Sequence, residues 1–464
     1  MSAEEAIFDN SCQNSSFEGI VPTSSSPLIY VNGDQVRGDE TIVVSSGQVV
    51  SGAIVSSDVR MIVSSGGTVA LTSVNSSGHL LVYGGGMAND ITLNSSGYME
   101  IENGGIASRI TVNENTVLHV EKQGTALEIV ENGGCVWDNG FLLQSSPSVS
   151  YTSNVFSGLA FSSFLTTATV HSGTTALSTT IDSGCLFIYS GGTAQNTIAG
   201  IGARIEVYSG GTALEIVENG GYVGVDNDTY VTFLPNVFSG LQVSDEVLSE
   251  EACVTVHSGT TAVSTTLSGY CYMQVYCGGI ASKTIVDSGT LWVYDSGLAD
   301  GVIVKSNGEL WVESGGTAMD IVENGGNVSV DSGASVSFIP NTFSGLLLSE
   351  YSTATVHSGT TAISTTVNSG GVFEVFSGGT ALEIVENGGN VSVDSGTSVS
   401  FIPNTFSGLS LSAYSTATVH SGTTAVSTIV NFSGCFHVYG DGIAQSTTVN
   451  SRTIKNRKNH KYWT

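Results

Sequence analysis

The chain has 464 residues, 58 of them glycine and only 6 proline, and a formal net charge of −28. Only 11% of residues are charged, well below the roughly 25% of ordinary soluble domains, and the wealth of Val, Ile, Leu and Thr excludes a disordered chain. Lysine and arginine total 12, with Arg452, Lys455, Arg457, Lys458 and Lys461 crowded at the C-terminal end, so the acidic body repels phosphate backbones and nucleic acid is excluded as its partner.

Residues 1–40 read as an N-terminal segment or cap. Their opening, MSAEEAIFDNSCQNSS, lacks the basic region and apolar core of a secretory signal. Residues 41–450 are repetitive. An early stretch reads VYGGGMANDITLNSSGYMEI, followed by ENGGIASRITVNENTVLHV. A longer block then recurs four times. Its first half is QGTALEIVENGG from Gln123, SGGTALEIVENGG from Ser209, SGGTAMDIVENGG from Ser314 and SGGTALEIVENGG from Ser377. Its second half contains TVHSGTTA, from Thr169, Thr255, Thr355 and Thr418. The last two copies are 63 residues apart in both halves, which predicts three turns of about 21. Between copies run shorter units, whose glycines Gly278, Gly297 and Gly315 are 19 and 18 residues apart. The tail 451–464, SRTIKNRKNHKYWT, breaks both the repeat and the charge pattern. It reads as a basic tail, either a truncated or frame-shifted end or a short anchor. No run of about 18 apolar residues exists to cross a membrane as a helix.

Within each unit, segments such as LEIVE, NVSVD, LWVY and FEVF alternate apolar and polar residues between SGG, NGG or NSG corners. Alternation puts one face in a core and the other in water, and glycine supplies the positive φ that corners need. Segments this short cannot bury enough alone, so identical turns must stack. The expected fold is all-β: a right-handed parallel β-helix (β-solenoid) of about 19–21-residue turns, on the order of 22 of them.

Recurrence bears on every candidate site. His171, His257, His357 and His420 recur in VHSGTTA, about three turns apart, and read as polar strand-end residues that do not meet each other. Glu131, Glu218, Glu323 and Glu386 recur with Glu128, Glu215, Asp320 and Glu383 three residues earlier. Paired carboxylates serve glycosidases, but an active site occurs once, so these read as a solvated face, with weak cation binding as the alternative. Cys185 and Cys435 follow equivalent corners and read as small core residues. Cys271 and Cys277 are near enough for a local bridge, whose geometry the sequence leaves open. Tyr189, Tyr208, Trp292, Tyr294, Trp311, Phe373 and Phe376 lie near strand ends. Core packing is their expected role, and an outward ladder that stacks on sugar rings is the alternative. A lyase for acidic sugars needs basic groove residues that this body lacks, so no enzyme, cofactor or metal site is expected.

The units SGGTALEIVENGGNVSVDSG and YGGGMANDITLNSSGYMEIENGG resemble the strand-loop-strand repeats of bacterial autotransporter passenger domains of the AIDA and antigen 43 type. The resemblance covers roughly residues 40–450. It implies a right-handed β-helix displayed extracellularly or on the cell's outer surface, adhesion to host or bacterial cell-surface glycans or proteins, self-association, and O-glycosylation by a partner glycosyltransferase. The acceptors it implies are the corner serines Ser65, Ser190, Ser209, Ser314 and Ser377. Two readings follow: an adhesin-like repeat protein, or a purely structural spacer or truncated passenger fragment with no specific ligand.

Overall fold

The computed structural model describes residues 35–36, 41–56, 59–138, 147–244, 253–412 and 414–450. Apart from Gln35–Val36, the expected N-terminal cap and the basic tail lie outside the described residues. The rest is all-β, a parallel β-solenoid of about 21 turns set roughly 19 residues apart. Each regular turn lays one short strand on each of three faces, as at Ile280–Ser282, Ile285–Asp287 and Thr290–Val293. Each of these pairs in parallel with its counterpart one turn later, at Leu298–Asp300, Ile303–Lys305 and Glu309–Val312. The backbone bonds that a short strand cannot make within itself are thus supplied by its neighbours.

Alternation works as the pattern predicts. Leu80 and Val82, Met99 and Ile101, and Leu118 and Val120 point inward on successive turns and are fully buried. Each such side chain contributes roughly 1.5–3 kcal/mol by leaving water. The face carrying the GGTA signature is lined by small residues, Ala88, Ala107 and Ala126 stacked in register. Beside it runs a ladder of side-chain amides. Asn94 donates to Asn75 at 3.0 Å, Asn113 to Asn94 at 2.8 Å and Asn132 to Asn113 at 2.7 Å.

The corners differ from one another. At SGG, Gly66 has φ +77°, while a β-carbon on Gly67 would collide with the Val44 carbonyl, so the two glycines answer two separate needs. A second corner departs from the glycine expectation. Leu71, Asp90, Arg109 and Glu128 all hold φ between 51° and 57° inside otherwise continuous strands. Left-handed backbone costs an L-residue roughly 1–2 kcal/mol, and ladder bonds on both sides hold it there. Asp90 and Arg109 pair at this corner, which lowers the Asp90 carboxyl below its ordinary range through the Arg109 hydrogen bond.

The 63-residue block is not three equal turns. Thr342, Thr361 and Thr380 stack at regular 19-residue steps, so the remaining turn takes the 25 residues from Thr317 to Thr342. That longer turn adds a strand, Ser335–Phe338, at the end of one sheet before the next sheet begins at Asn341–Ser344. The core divides at the same places, into clusters spanning Val44–Val136, Phe156–Val223, Phe238–Val328 and Phe343–Val391, with smaller ones beyond Phe406. The solenoid is therefore a series of cassettes joined at four seams.

Candidate functional site

Each seam is built from the two halves of the long repeat. Glu131, Glu218, Glu323 and Glu386 replace aliphatic residues at inward positions and are fully buried. At the third seam, Glu323 accepts hydrogen bonds from the Thr355 hydroxyl at 2.9 Å and from the backbone N–H of His357 at 2.8 Å, and its Oε1 lies 2.7 Å from His357 Nδ1. Thr355 Oγ1 in turn accepts from the Val328 N–H at 2.9 Å, and the Thr355 N–H donates to the Gly326 carbonyl at 3.0 Å. The same constellation joins Glu131 to Thr169 and His171, Glu218 to Thr255 and His257, and Glu386 to Thr418 and His420.

This overturns one expectation and extends another. The ENGG carboxylates are not a solvated face. They are buried because the strand ladder is interrupted at the seam, and a carboxylate with three partners replaces the missing backbone bonds. Their neighbours Glu128, Asp320 and Glu383 sit at the exposed left-handed corner, and Glu215 at the same corner is half-buried, so no carboxylate pair forms. The histidines do not meet one another, as expected, but each has a specific partner in the preceding unit. The sequence held one further signal. N-x-F-S-G recurs at Asn154, Asn236, Asn341 and Asn404, and each of these asparagines donates to the backbone carbonyl of its seam glutamate at 2.6–2.7 Å.

Each seam histidine is also sandwiched between two rings. Tyr151 and Tyr189 flank His171, Phe233 and Tyr276 flank His257, Phe338 and Phe376 flank His357, and Phe401 and Tyr439 flank His420. The centroid separations are 4.4–4.7 Å in all of these. Burial holds the Tyr151, Tyr189 and Tyr276 hydroxyls above the usual phenol range and pushes Tyr208 up to about 12. Of the seven aromatic residues expected in the core, only Phe373 is buried there. Tyr189, Tyr208, Trp292, Tyr294, Trp311 and Phe376 face outward, half-buried, in stacked columns.

Cys185 and Cys435 are likewise not core residues. They point outward, half-buried and exposed, beside the inward Leu186 and the partly buried Phe436. The cysteines of the described residues form no disulfide, and the buried Cys271 directs its thiol to the Val243 and Ser268 carbonyls.

Ser65, Ser190, Ser209, Ser314 and Ser377 all occupy exposed corners. At four of them the hydroxyl lies against the glycine of the next turn. A β-carbon would come 2.9 Å from Ser65 Oγ at Gly85, 2.5 Å from Ser190 Oγ at Gly210, 2.8 Å from Ser314 Oγ at Gly333 and 3.0 Å from Ser377 Oγ at Gly396. Ser172, Ser258 and Ser358, in the HSG corners, repeat this geometry and exposure against Gly191, Gly278 and Gly378. Among the described residues one donor set could hold a cation. Glu100, His119 and Glu121 each bring a ligand atom within 4.8 Å of the others. Register explains it, since His119 stacks directly on Glu100.

Among the described residues no helix is long and apolar enough to cross a membrane. No protein-family model and no curated protein matches the sequence. Among solved structures, the chain is similar to a crystal structure of a TibC-catalysed, hyper-glycosylated TibA fragment. The identity is 24%, over 79% of this chain and 97% of that one, with a TM-score of 0.19.

Proposed function

We propose that the chain is an adhesin-like repeat protein of the autotransporter-passenger kind, displayed extracellularly or on the outer cell surface. In this reading it is not an enzyme and makes adhesive contacts with cell-surface glycans or proteins, or with further copies of itself. The observation that carries it is the placement of the repeated polar residues. Recurring carboxylates and imidazoles are used inside the seams to join cassettes, whereas the corner serines are exposed along a continuous solenoid. A surface that repeats every turn offers many weak contacts whose avidity grows with their number. The serines Ser65, Ser190, Ser209, Ser314 and Ser377 are the proposed O-glycan acceptors, served by a dedicated glycosyltransferase.

The test is to express the chain with and without an autotransporter heptosyltransferase and measure intact mass and binding of coated beads to cultured cells. Expected are mass increments in multiples of one sugar above the 47.7 kDa chain and bead binding above that of uncoated beads. An unmodified mass would remove the glycan part of the proposal. Beads that bind no cell and do not clump would remove the adhesive part and leave the spacer reading.

A further inference from the structure

The aromatic columns end differently at different seams. At the first seam Trp137 precedes the break, and its ring leans across to Phe187 at 5.7 Å. Ser329 takes the equivalent place at the third seam: Val136 and Val328, the residues just before each, both donate to the seam threonine. Beneath Ser329 lies Trp311, its strand neighbour in register. One face of Trp311 stacks on Trp292 at 5.2 Å and 11°, and its Nε1–H donates to Glu309 at 2.9 Å, which fixes the ring. Serine is too small to cover the other face. Across the seam, Glu374 stands where Phe187 stands at the first, each paired with its seam threonine. The result is an open groove of about 460 Å³ bordered by Trp311, Ser329, Thr353, His357, Glu374 and Phe376.

We propose that this groove binds a neutral pyranose ring. An indole plane held by a hydrogen bond and open on one side suits the apolar C–H face of a sugar. The Ser329 and Thr353 hydroxyls and the Glu374 carboxylate supply polar partners to the ring hydroxyls, which matches the mix of flat apolar surface and a few placed polar groups in small-ligand sites. The carboxylate and the strongly acidic body disfavour sialic and uronic acids. Trp137 shows what the chain does where such a slot is filled. This site deepens the adhesive reading, on which its biological use rests, but sugar binding in solution stands apart from it.

The experiment is a titration of the intact chain with methyl β-galactopyranoside and methyl β-glucopyranoside, followed at the indole N–H resonance assigned by its loss in Trp311→Phe. A saturable shift of that resonance is expected for at least one sugar, with an affinity on the order of millimolar, and N-acetylneuraminic acid should cause none. Ser329→Phe fills the slot from an outward position. It should abolish the shift while far-UV circular dichroism and melting stay as in the parent chain. Glu374→Ala, which leaves the slot open, should weaken binding at least about threefold. The absence of a saturable shift with either sugar, or an undiminished shift in Ser329→Phe, overturns the proposal. A chain that binds sugar here but neither binds cells nor clumps keeps the groove and sinks the adhesin reading, and the reverse result separates them the other way.

Discussion

Glu323 is a charged side chain at a position where the turn below carries Val304. Removing a carboxylate from water costs several kcal/mol unless hydrogen bonds replace its hydration, and here Thr355, the His357 backbone and the His357 ring do so. Glu323→Ala strips all three of their acceptor in one step. We expect the third seam to lose about 3–5 kcal/mol, read as faster amide hydrogen exchange at Val328 and Thr355. Asp320→Ala, at the exposed corner of the same strand, should cost under about 1 kcal/mol. Equal effects from the two substitutions would show that burial of the seam glutamate has been given too much weight. The ENGG signature itself was plain in the sequence, but its side was not. Alternation through LEIVE is broken at Glu128, Glu215, Asp320 and Glu383, which hold positive φ, and a non-glycine residue in that conformation looks like any other strand residue on paper.

At the scale of the strand and its neighbours, the seam replaces a stretch of backbone ladder with side chains. Thr355 is its pivot, accepting from Val328 and donating to Glu323 through one oxygen. Thr355→Val keeps the shape and removes the hydroxyl, leaving a buried N–H and a buried carboxylate each short of a partner, at a cost of roughly 1–3 kcal/mol. Because turns contact only their neighbours, the loss should stay local. Exchange should quicken at Val328, at position 355 and at His357 while Ile101 and Ile205 in other cassettes are unchanged. A uniform change along the whole chain would contradict the cassette description. The same locality explains what could be read from sequence. Turn length, alternation and the SGG corners depend on residues one turn apart and were legible. Glu323 and His357 are 34 residues apart, across the NTFSG stretch and the added strand Ser335–Phe338, and no periodic signal links them. The aromatic columns were placed on the wrong side for a related reason. A residue beside a corner can fall on either face, and only the register of Trp292 on Trp311 settles it.

Over the whole molecule, forty acidic groups face only twelve lysines and arginines, and stacking brings carboxylates on successive turns close together. Glu102 is raised above its ordinary range by burial and then by Glu100 and Glu121. Burial raises Asp138 and Glu206, and burial with Asp331 raises Glu313. A carboxyl raised in the fold binds its proton at a pH where the unfolded chain has already lost it. The folded state therefore holds more protons in the window from the ordinary carboxyl value up to the raised one, and stability grows as pH falls through that window. Asp90 acts the other way. Its carboxyl is lowered by Arg109, so its contribution persists through this range and is lost only as pH falls through its own depressed value. Partial neutralisation also weakens the self-repulsion of a chain at −28 and lets separate solenoids approach one another. The expected outcome is a melting temperature that rises as the pH is lowered from about 7.5 toward the ordinary carboxyl value of about 4 at fixed ionic strength, accompanied by a larger particle in light scattering. Raising the salt at about pH 7.5 should reproduce part of the association by screening. A melting temperature that instead declines steadily across the same interval would mean that the raised carboxyls are outweighed and that the charge ladder does not govern the solenoid's response to acid.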